Sequence, residues 1–367
     1  MSLCCDAGIG AGAYVREIAR EGMTERFVTS QGATPADLPA IQACLAEHAE
    51  ASVVGGEYFG PSLSGAEQAH AQTWLAQTGA PLTWVQGGPG TEGLGGLYVH
   101  GVTATRVTPL VLDGRVLGTA VEGPHATEVR LSGLYARDVS APRHMQARAT
   151  FELMEEALGL VGMDFGHVVR TWLFLDDILS WYDDFNHVRT TFFYERGVFD
   201  NLVPASTGIG GSNPVGAAMM TGVYAVRPKS PEVTIQAVPS PLQCPALEYG
   251  SSFSRAVEVA MPDLKRLLIS GTASIEPGGR TEHVGDVLAQ TGLTCEVVAA
   301  ILESRGMGWH DVTRATAYVR HASDAGVFEQ YRAASGMPPL PVIVAHNVIC
   351  RDDLLFELEV DATQAMR

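Results

Sequence analysis

Residues 341–362, PVIVAHNVICRDDLLFELEVDA, predict two consecutive β-strands. Apolar and β-branched residues fill 342–349 and again 354–360, and a short polar break separates the two runs. Because successive side chains of a strand point to opposite faces, Glu357 shares a face with Glu359. A carboxylate in an apolar strand is costly to bury unless it is paired or kept neutral. From this strand alone, Glu357 is either a solvent-facing residue or an acid with a shifted pKa.

The same succession of elements occurs twice, at residues 127–227 and 250–362. Each copy predicts the order strand, strand, helix, strand, helix, strand, strand, an α+β order in which a mixed sheet carries two helices on one face. The matched segments are VRLSG at 129–133 with LLISG at 267–271, GMDFGHVVRTWLFL at 162–175 with GMGWHDVTRATAYV at 306–319, and residues 204–226 with 341–362. The chain is therefore predicted to contain two tandem domains of one fold.

The two copies differ at the position of the strand carboxylate, which is a candidate catalytic group. Glu357 of the second copy lies opposite Met220 of the first, and residues 208–226 contain no carboxylate. If Glu357 only faced solvent, any polar side chain would serve at the equivalent position. Loss of the acid instead suits one catalytic copy and one degenerate copy. From the residues alone, the interpretation of Glu357 as an acid with a shifted pKa is now as well supported as that of a solvent-facing residue.

The predicted domain boundaries follow from this repeat. Residues 1–80 are predicted to form an N-terminal helical extension, with helices over 13–21 and 39–49 where apolar residues recur every three or four positions. The first domain, with extra N-terminal strands and the degenerate site, is predicted over residues 81–230. The second domain, which carries the acid, is predicted over residues 245–367.

Composition argues against several classes of function. The 41 acidic residues outnumber the 24 basic ones and the formal net charge is −17, which disfavours a nucleic-acid partner because phosphate binding depends on lysine and arginine. The six cysteines contain no CxxC pair and the histidines of the second copy have no ligand spacing, so neither a metal site nor a cofactor is expected. No apolar run approaches the roughly 20 residues of a membrane span. A cytoplasmic protein without membrane contact is expected.

Segments of both copies resemble a known family. They are FSRA at 253–256, SGTASI at 270–275, YVR at 318–320 and Cys350 with Glu357 in the second copy, and RTW at 170–172, residues 182–189 and PASTGIG at 204–210 in the first. The second copy resembles the RidA/YjgF fold, which is chorismate mutase-like and places an acid-bearing strand beside a Ser-Gly strand at a cleft between subunits. The tandem arrangement resembles the chorismatases, which convert chorismate to pyruvate and a cyclic carboxylic acid in secondary metabolism.

This resemblance implies a mechanism and a set of site residues. Glu357 would protonate the methylene carbon of the enol ether, and water or the ring hydroxyl would then release pyruvate with a dihydroxycyclohexadiene carboxylate or 3-hydroxybenzoate. Cys350 occupies a position that the family uses to shape its pocket, and cysteine there favours 3-hydroxybenzoate. Two substrate carboxylates require arginines, whose forked donors pair with carboxylates. The further substrate-binding candidates are Arg320, Arg255, Arg148, Arg170, Tyr331 and Ala273.

Two other functions remain open at this point. A RidA-like hydrolase or deaminase would act on another enol or imine substrate, although the arginine that a deaminase carries after Pro341 is replaced here by Val342 and Ile343. A non-catalytic small-molecule binder could use the same scaffold. Because RidA proteins are trimers, the chain is expected either to form a homo-oligomer or to imitate one internally.

Overall fold

The described residues form three mixed sheets. The computed structural model describes residues 13–46, 51–88, 90–91, 94–103 and 105–366, so Cys4 and Cys5 lie outside the described residues. Within these residues each sheet is accompanied by two α-helices. This is the α+β class with mixed sheets that the sequence predicts.

The first unit contains five strands and two helices. They are β1 (Ala13–Arg20), β2 (Met23–Gln31), α1 (Leu38–Ala46), β3 (Ala51–Gly60), α2 (Gly65–Thr78), β4 (Leu82–Gln86) and β5 (Gly96–Thr103). The helix predicted over 13–21 is wrong, because β1 pairs antiparallel with β2 along its whole length and these cross-strand bonds outweigh a helical spacing of apolar residues. The helix predicted over 39–49 is confirmed as α1 up to residue 46, and residues 47–49 lie outside the described residues.

The second unit has the same order with one strand added at its start. Its elements are β6 (Arg106–Leu112), β7 (Arg115–Glu122), β8 (Ala126–Leu134), α3 (Arg143–Gly159), β9 (Val168–Leu175), α4 (Tyr182–Glu195), β10 (Ala205–Gly210) and β11 (Met219–Pro228). The third unit repeats this order with β12 (Thr234–Val238), β13 (Ala256–Ala260), β14 (Leu264–Ala273), α5 (Val287–Ser304), β15 (Val312–Val319), α6 (Val327–Ser335), β16 (Val342–His346), β17 (Val348–Ile349) and β18 (Phe356–Ala365). The strand predicted over 342–349 is thus interrupted at Asn347, and β17 leaves its own sheet to pair with β10 of the second unit.

All three units share one topology. Their sheets have the orders β1-β2-β5-β3-β4, β6-β7-β8-β11-β9-β10 and β12-β13-β14-β18-β15-β16, so the last long strand always inserts beside the hairpin. The predicted helical extension over 1–80 is therefore, from residue 13, most of a third α+β unit, and its sheet crosses residue 80 and ends at Thr103. The equivalent cross-strand pairs are Phe59 with Gly96, Phe174 with Met220, and Tyr318 with Glu357.

The three sheets share a common apolar core, and the helices lie on their outer sides. Three rings at equivalent positions meet in this core, with the centroid of Phe59 lying 5.7 Å from that of Phe174 and 5.9 Å from that of Tyr318. Each helix pair packs on its own sheet through a separate apolar cluster. Of the helices that the structure describes, only α5 has the length and hydropathy of a membrane span, and it packs on β14 and β18. The internal three-fold repeat creates clefts where neighbouring units meet.

Candidate active site

A cleft between the second and third units brings together polar side chains from both. Two hydrogen bonds join the units beside it: Ser206 N donates to Ser270 Oγ at 2.8 Å, and Gly271 N donates to Thr207 Oγ1 at 3.0 Å. The lining residues are Tyr182, Arg189, Ser206, Gly208, Ser251, Phe253, Arg255, Gly271, Ala273, Ile275, Cys350, Arg351, Leu354 and Glu357. The site therefore belongs to neither unit alone.

Glu357 lies at the start of β18 and lines this cleft. The residue is only 5% exposed, and it lies so close to Gly271 that a Cβ atom at position 271 would collide with Glu357 Oε1. Burial raises the pKa of Glu357 from 4.5 to about 8, the charge of Glu359 also raises it, and Arg170 opposes the rise. At neutral pH the carboxyl is predominantly protonated and can donate a proton.

Glu359, two residues further along the same face, is ionised. Its Oε2 accepts a hydrogen bond from Arg170 Nη2 at 2.8 Å, and its Oε1 accepts one from Arg314 Nη2 at 2.6 Å. Burial alone would raise the pKa of Glu359, but the two arginines outweigh burial and hold it below the usual value. The negative charge retained on Glu359 disfavours ionisation of Glu357. The two carboxyl groups thus have opposite protonation states at neutral pH.

Three arginines make the cleft locally cationic within an acidic protein. Arg189 and Arg255 are buried, with 2% and 4% exposure, and Arg351 is half-buried. Arg189 Nη2 donates to Asn186 Oδ1 at 2.7 Å, and Arg255 Nε donates to the backbone oxygen of Cys244 at 3.0 Å. These bonds orient the two guanidinium groups, and both groups line the cleft, where forked donors suit the carboxylates of a bound molecule.

Tyr182 and Cys350 form a hydrogen-bonded pair at the side of the cleft. Burial raises the pKa of the Cys350 thiol to about 12, and the nearby Glu357 adds to this rise. Burial likewise raises the pKa of the Tyr182 phenol. Both groups are protonated at neutral pH, so Cys350 contributes shape and a weak donor rather than a thiolate nucleophile.

Four of the eight residues predicted for the site are brought together in this cleft: Glu357, Cys350, Arg255 and Ala273. Arg148 and Arg170 do not line the cleft, because each forms ion pairs with carboxylates outside it. Arg148 lies on α3 and pairs with Glu152 and Glu195, both at 2.7 Å. Arg170 is fully buried in the sheet, where it pairs with Glu359. The structure therefore corrects both assignments.

Arg320 and Tyr331 also lie outside the cleft. Arg320 Nη1 donates to the backbone oxygen of Arg351 at 2.8 Å, and its Nη2 pairs with Asp352 at 3.1 Å, so it braces the turn before β18. Tyr331 lies on α6, and its ring packs against α5 near Gly292. Both residues support the third unit and are corrected as substrate-binding candidates.

Several lining residues come from the unit that was predicted to hold only a degenerate site. Tyr182, Arg189 and Ser206 belong to the second unit, yet they complete the cleft that contains Glu357. Their signal was present in the sequence, because segments 182–189 and 204–210 are among those that resemble the chorismatases. A site built from one copy alone does not include them, since a cleft between units needs residues from both.

The cleft offers a proton donor and anion-binding groups. In the part of the chain that the structure describes, no group of three or more His, Cys, Asp or Glu side chains could hold a metal ion. A neutral carboxyl beside arginines can transfer a proton to an anionic substrate whose carboxylates the arginines hold.

Because the pKa of Glu357 is raised in the native protein, this residue should make the free energy of unfolding depend on pH. The unfolded chain releases the Glu357 proton near pH 4.5 and the native protein near pH 8. The stability that Glu357 contributes is therefore fully present below pH 4.5 and is lost as pH rises through 8. The loss is on the order of 3 to 5 kcal/mol. Glu357→Gln is neutral at every pH, so urea unfolding at pH 5, 7 and 9 should show the variant gaining stability over wild type as pH rises. A constant difference across the three pH values would contradict the raised pKa.

Comparisons with known proteins relate the chain to chorismatases by sequence and by fold. No family model matches the chain. A chorismatase of Streptomyces rapamycinicus is 30% identical over 229 residues, which cover 56% of this chain and 66% of that protein. A 3-hydroxybenzoate synthase of Streptomyces hygroscopicus is 26% identical over 236 residues, covering 57% of this chain and 65% of that protein. The chain thus matches a little under two thirds of the length of these relatives.

A solved structure extends the match in fold beyond these aligned segments. The crystal structure of a chorismatase superposes with a TM-score of 0.66 at 21% identity, covering 95% of this chain and all of the other. This likeness shows that the chain shares the chorismatase fold. The aligned sequences show that over a little more than half of its length the chain is similar to chorismatases, in addition to the acid and the arginines at the cleft between units.

Proposed function

We propose that this protein cleaves the enolpyruvyl ether of chorismate to pyruvate and 3-hydroxybenzoate, with Glu357 as the general acid and without a cofactor. The observation that carries the proposal is a buried carboxyl, protonated at neutral pH, in a cleft lined by three arginines. The name of one relative, chorismatase, supports the substrate, and the name of another, 3-hydroxybenzoate synthase, supports the product.

The first step is transfer of the Glu357 proton to the methylene carbon of the enol ether. This creates a methyl group and an oxocarbenium ion at the pyruvyl carbon, and it leaves Glu357 as a carboxylate. The step needs an acid with a pKa near the working pH, which burial and Glu359 provide. The substrate has two carboxylates, and Arg189, Arg255 and Arg351 are the lining cations that can hold them.

The second step determines the product. Attack of the neighbouring ring hydroxyl on the ring carbon that bears the ether breaks the carbon–oxygen bond and expels pyruvate, and the hydroxyl proton returns to the Glu357 carboxylate. Rearrangement of the ring then yields 3-hydroxybenzoate with no net consumption of water. Capture of the oxocarbenium ion by water would instead give pyruvate and a dihydroxycyclohexadiene carboxylate. The half-buried side chains of Cys350 and Tyr182 line the cleft with Glu357, and the space that they occupy favours the water-free route.

The direct test is incubation of the purified protein with chorismate, followed by enzymatic assay of pyruvate and chromatography of the ring product. We expect equal amounts of pyruvate and 3-hydroxybenzoate. Pyruvate with the dihydroxycyclohexadiene carboxylate would keep the substrate and move the product to the hydrolytic branch. Folded protein that releases no pyruvate would contradict the proposal and favour another enol or imine substrate.

Gly271 is predicted to be essential for placing the acid. A Cβ atom at this position collides with Glu357 Oε1, so Gly271→Ala should displace the carboxyl and lower kcat for pyruvate release by about 10²-fold. Gly326→Ala in the same unit is the matched control, because no atom lies within 4 Å of the added methyl group. Wild-type kcat in Gly271→Ala would show that the carboxyl acts from another position.

A further inference from the structure

A second cleft, between the first and second units, repeats the construction of the catalytic one. Gly133 N donates to Thr83 Oγ1 at 3.0 Å, just as Gly271 N donates to Thr207 Oγ1 at 3.0 Å. Gly133 lies at the register irregularity of β8 and Gly271 at that of β14, and each of these strands is the second strand of its hairpin. The second cleft is therefore the pseudo-three-fold equivalent of the first.

This second cleft is open but lacks the acid. It encloses a cavity of about 460 Å³ between α2, β4 and the second unit, and Met220 lines it at the position equivalent to Glu357. Its walls are largely apolar and aromatic, and include Trp84, Leu75 and Tyr135. Without a carboxyl at position 220 it has no group equivalent to the proposed proton donor. A cavity with these walls has the apolar character of a site for a small ring.

The third equivalent cleft, between the third and first units, is closed by comparison. Gln31 occupies the position equivalent to Tyr135 and Ala273. Its Oε1 accepts a hydrogen bond from Val344 N at 2.7 Å, so the side chain joins the two units across the gap. Among the described residues, the protein thus fills one non-catalytic cleft and leaves the other open.

One cation sets the charge of the open cavity. Arg115, at the start of β7, is half-buried, and its guanidinium lies 4.1 Å from the centre of the Tyr135 ring. It forms no ion pair with a carboxylate of the described residues and is the single charged residue among those that line the cavity. A half-buried guanidinium without a carboxylate partner, beside aromatic walls, matches a ligand with one carboxylate and one ring.

We propose that this cavity is a non-catalytic binding site for a small aromatic monocarboxylate, whose carboxylate pairs with Arg115 and whose ring packs against Trp84 and Tyr135. The inference goes beyond the proposed reaction and does not depend on it, because Arg115 and Met220 lie in a different cleft from Glu357.

Isothermal titration of the full chain with benzoate, and with benzamide as its neutral analogue, tests this site. Arg115→Gln should weaken benzoate binding by at least about tenfold and leave benzamide binding unchanged, because only the ion pair is lost. Arg106→Gln is the matched control, since this exposed arginine lies on the preceding strand outside the cavity. Equal benzoate affinity and stoichiometry in wild type and Arg115→Gln would overturn the proposal and place any benzoate in the catalytic cleft.

A second pair of variants tests the cavity without changing charge. Ala71 lines it from α2, so Ala71→Trp should fill it and abolish the Arg115-dependent binding of benzoate. Ala69 is exposed on the same helix and does not line the cavity, so Ala69→Trp should bind like wild type. Pyruvate release from chorismate by Ala71→Trp should stay at the wild-type rate. Retained Arg115-dependent binding in Ala71→Trp would contradict the assignment of the cavity.

Discussion

Replacement of Glu357 by glutamine is expected to lower kcat for pyruvate release from chorismate by about 10²- to 10⁴-fold. Glutamine matches the size of the protonated acid and can remain beside Gly271, but it has no acidic proton to give to the methylene carbon. Substrate binding should change little, because the arginines that hold the carboxylates are untouched. Initial rates with coupled detection of pyruvate, and a titration of chorismate into the variant, separate the two effects.

The same acid predicts the pH dependence of the wild-type enzyme. Since Glu357 must be protonated before turnover, kcat should fall as pH rises through about 8. The matched control is Glu303→Gln, which removes an exposed carboxylate from α5 in the same unit and should leave kcat unchanged. Turnover within about threefold of wild type in Glu357→Gln would rule out Glu357 as the proton donor, because general acid catalysis contributes at least about 10²-fold.

Replacement of Glu359 by glutamine is expected to destabilise the protein by about 3 to 5 kcal/mol. Glu359, Arg170 and Arg314 are all essentially fully buried, and the carboxylate bonds both guanidinium groups. Removing its charge leaves two buried cations with less compensation in a region of low dielectric constant. The free energy of unfolding from urea titration at pH 7 measures this loss. The variant should also lower the pKa of Glu357, because a negative charge that disfavours its ionisation is removed.

Glu329→Gln provides the comparison for this second prediction. It breaks an ion pair of similar length, 2.6 Å from Arg332, but the Glu329 side chain is 65% exposed. Solvent already stabilises both charges there, so the expected loss is within about 1 kcal/mol. If Glu359→Gln and Glu329→Gln cost the same, the buried network does not hold the sheets together.

Much of the fold could be predicted from the sequence because it repeats. The segments 129–133 and 267–271 mark the same strand in two units, and the structure confirms these strands in β8 and β14. The first unit could not be recognised in this way, because Gly96 stands where Met220 and Glu357 stand in the other two units. A sheet requires a pattern of burial and pairing rather than particular residues. The first unit therefore has the topology of the other two, although its sequence has diverged from theirs.

The arginines show why the site was only partly predictable. Arg170, Arg255 and Arg320 each lie near a strand in the sequence, and nothing in the residue type distinguishes them. Arg170 is neutralised by Glu359 inside the sheet, Arg320 braces a turn, and Arg255 reaches the cleft. Their partners lie far away in the chain or across a turn, so each assignment depends on contacts that a linear sequence does not display.

By itself the sequence determined the repeated α+β architecture and singled out Glu357, because strand periodicity and the comparison of one copy with another are local properties. Only the tertiary structure decided that Glu357 is neutral while Glu359 is ionised. Both carboxyls occupy the same strand face, and their difference arises from burial against Gly271 in one case and from two arginines in the other. The tertiary structure also decided that two units share the site. Charge and burial act through space rather than along the chain, so residues far apart in the sequence can line one cleft.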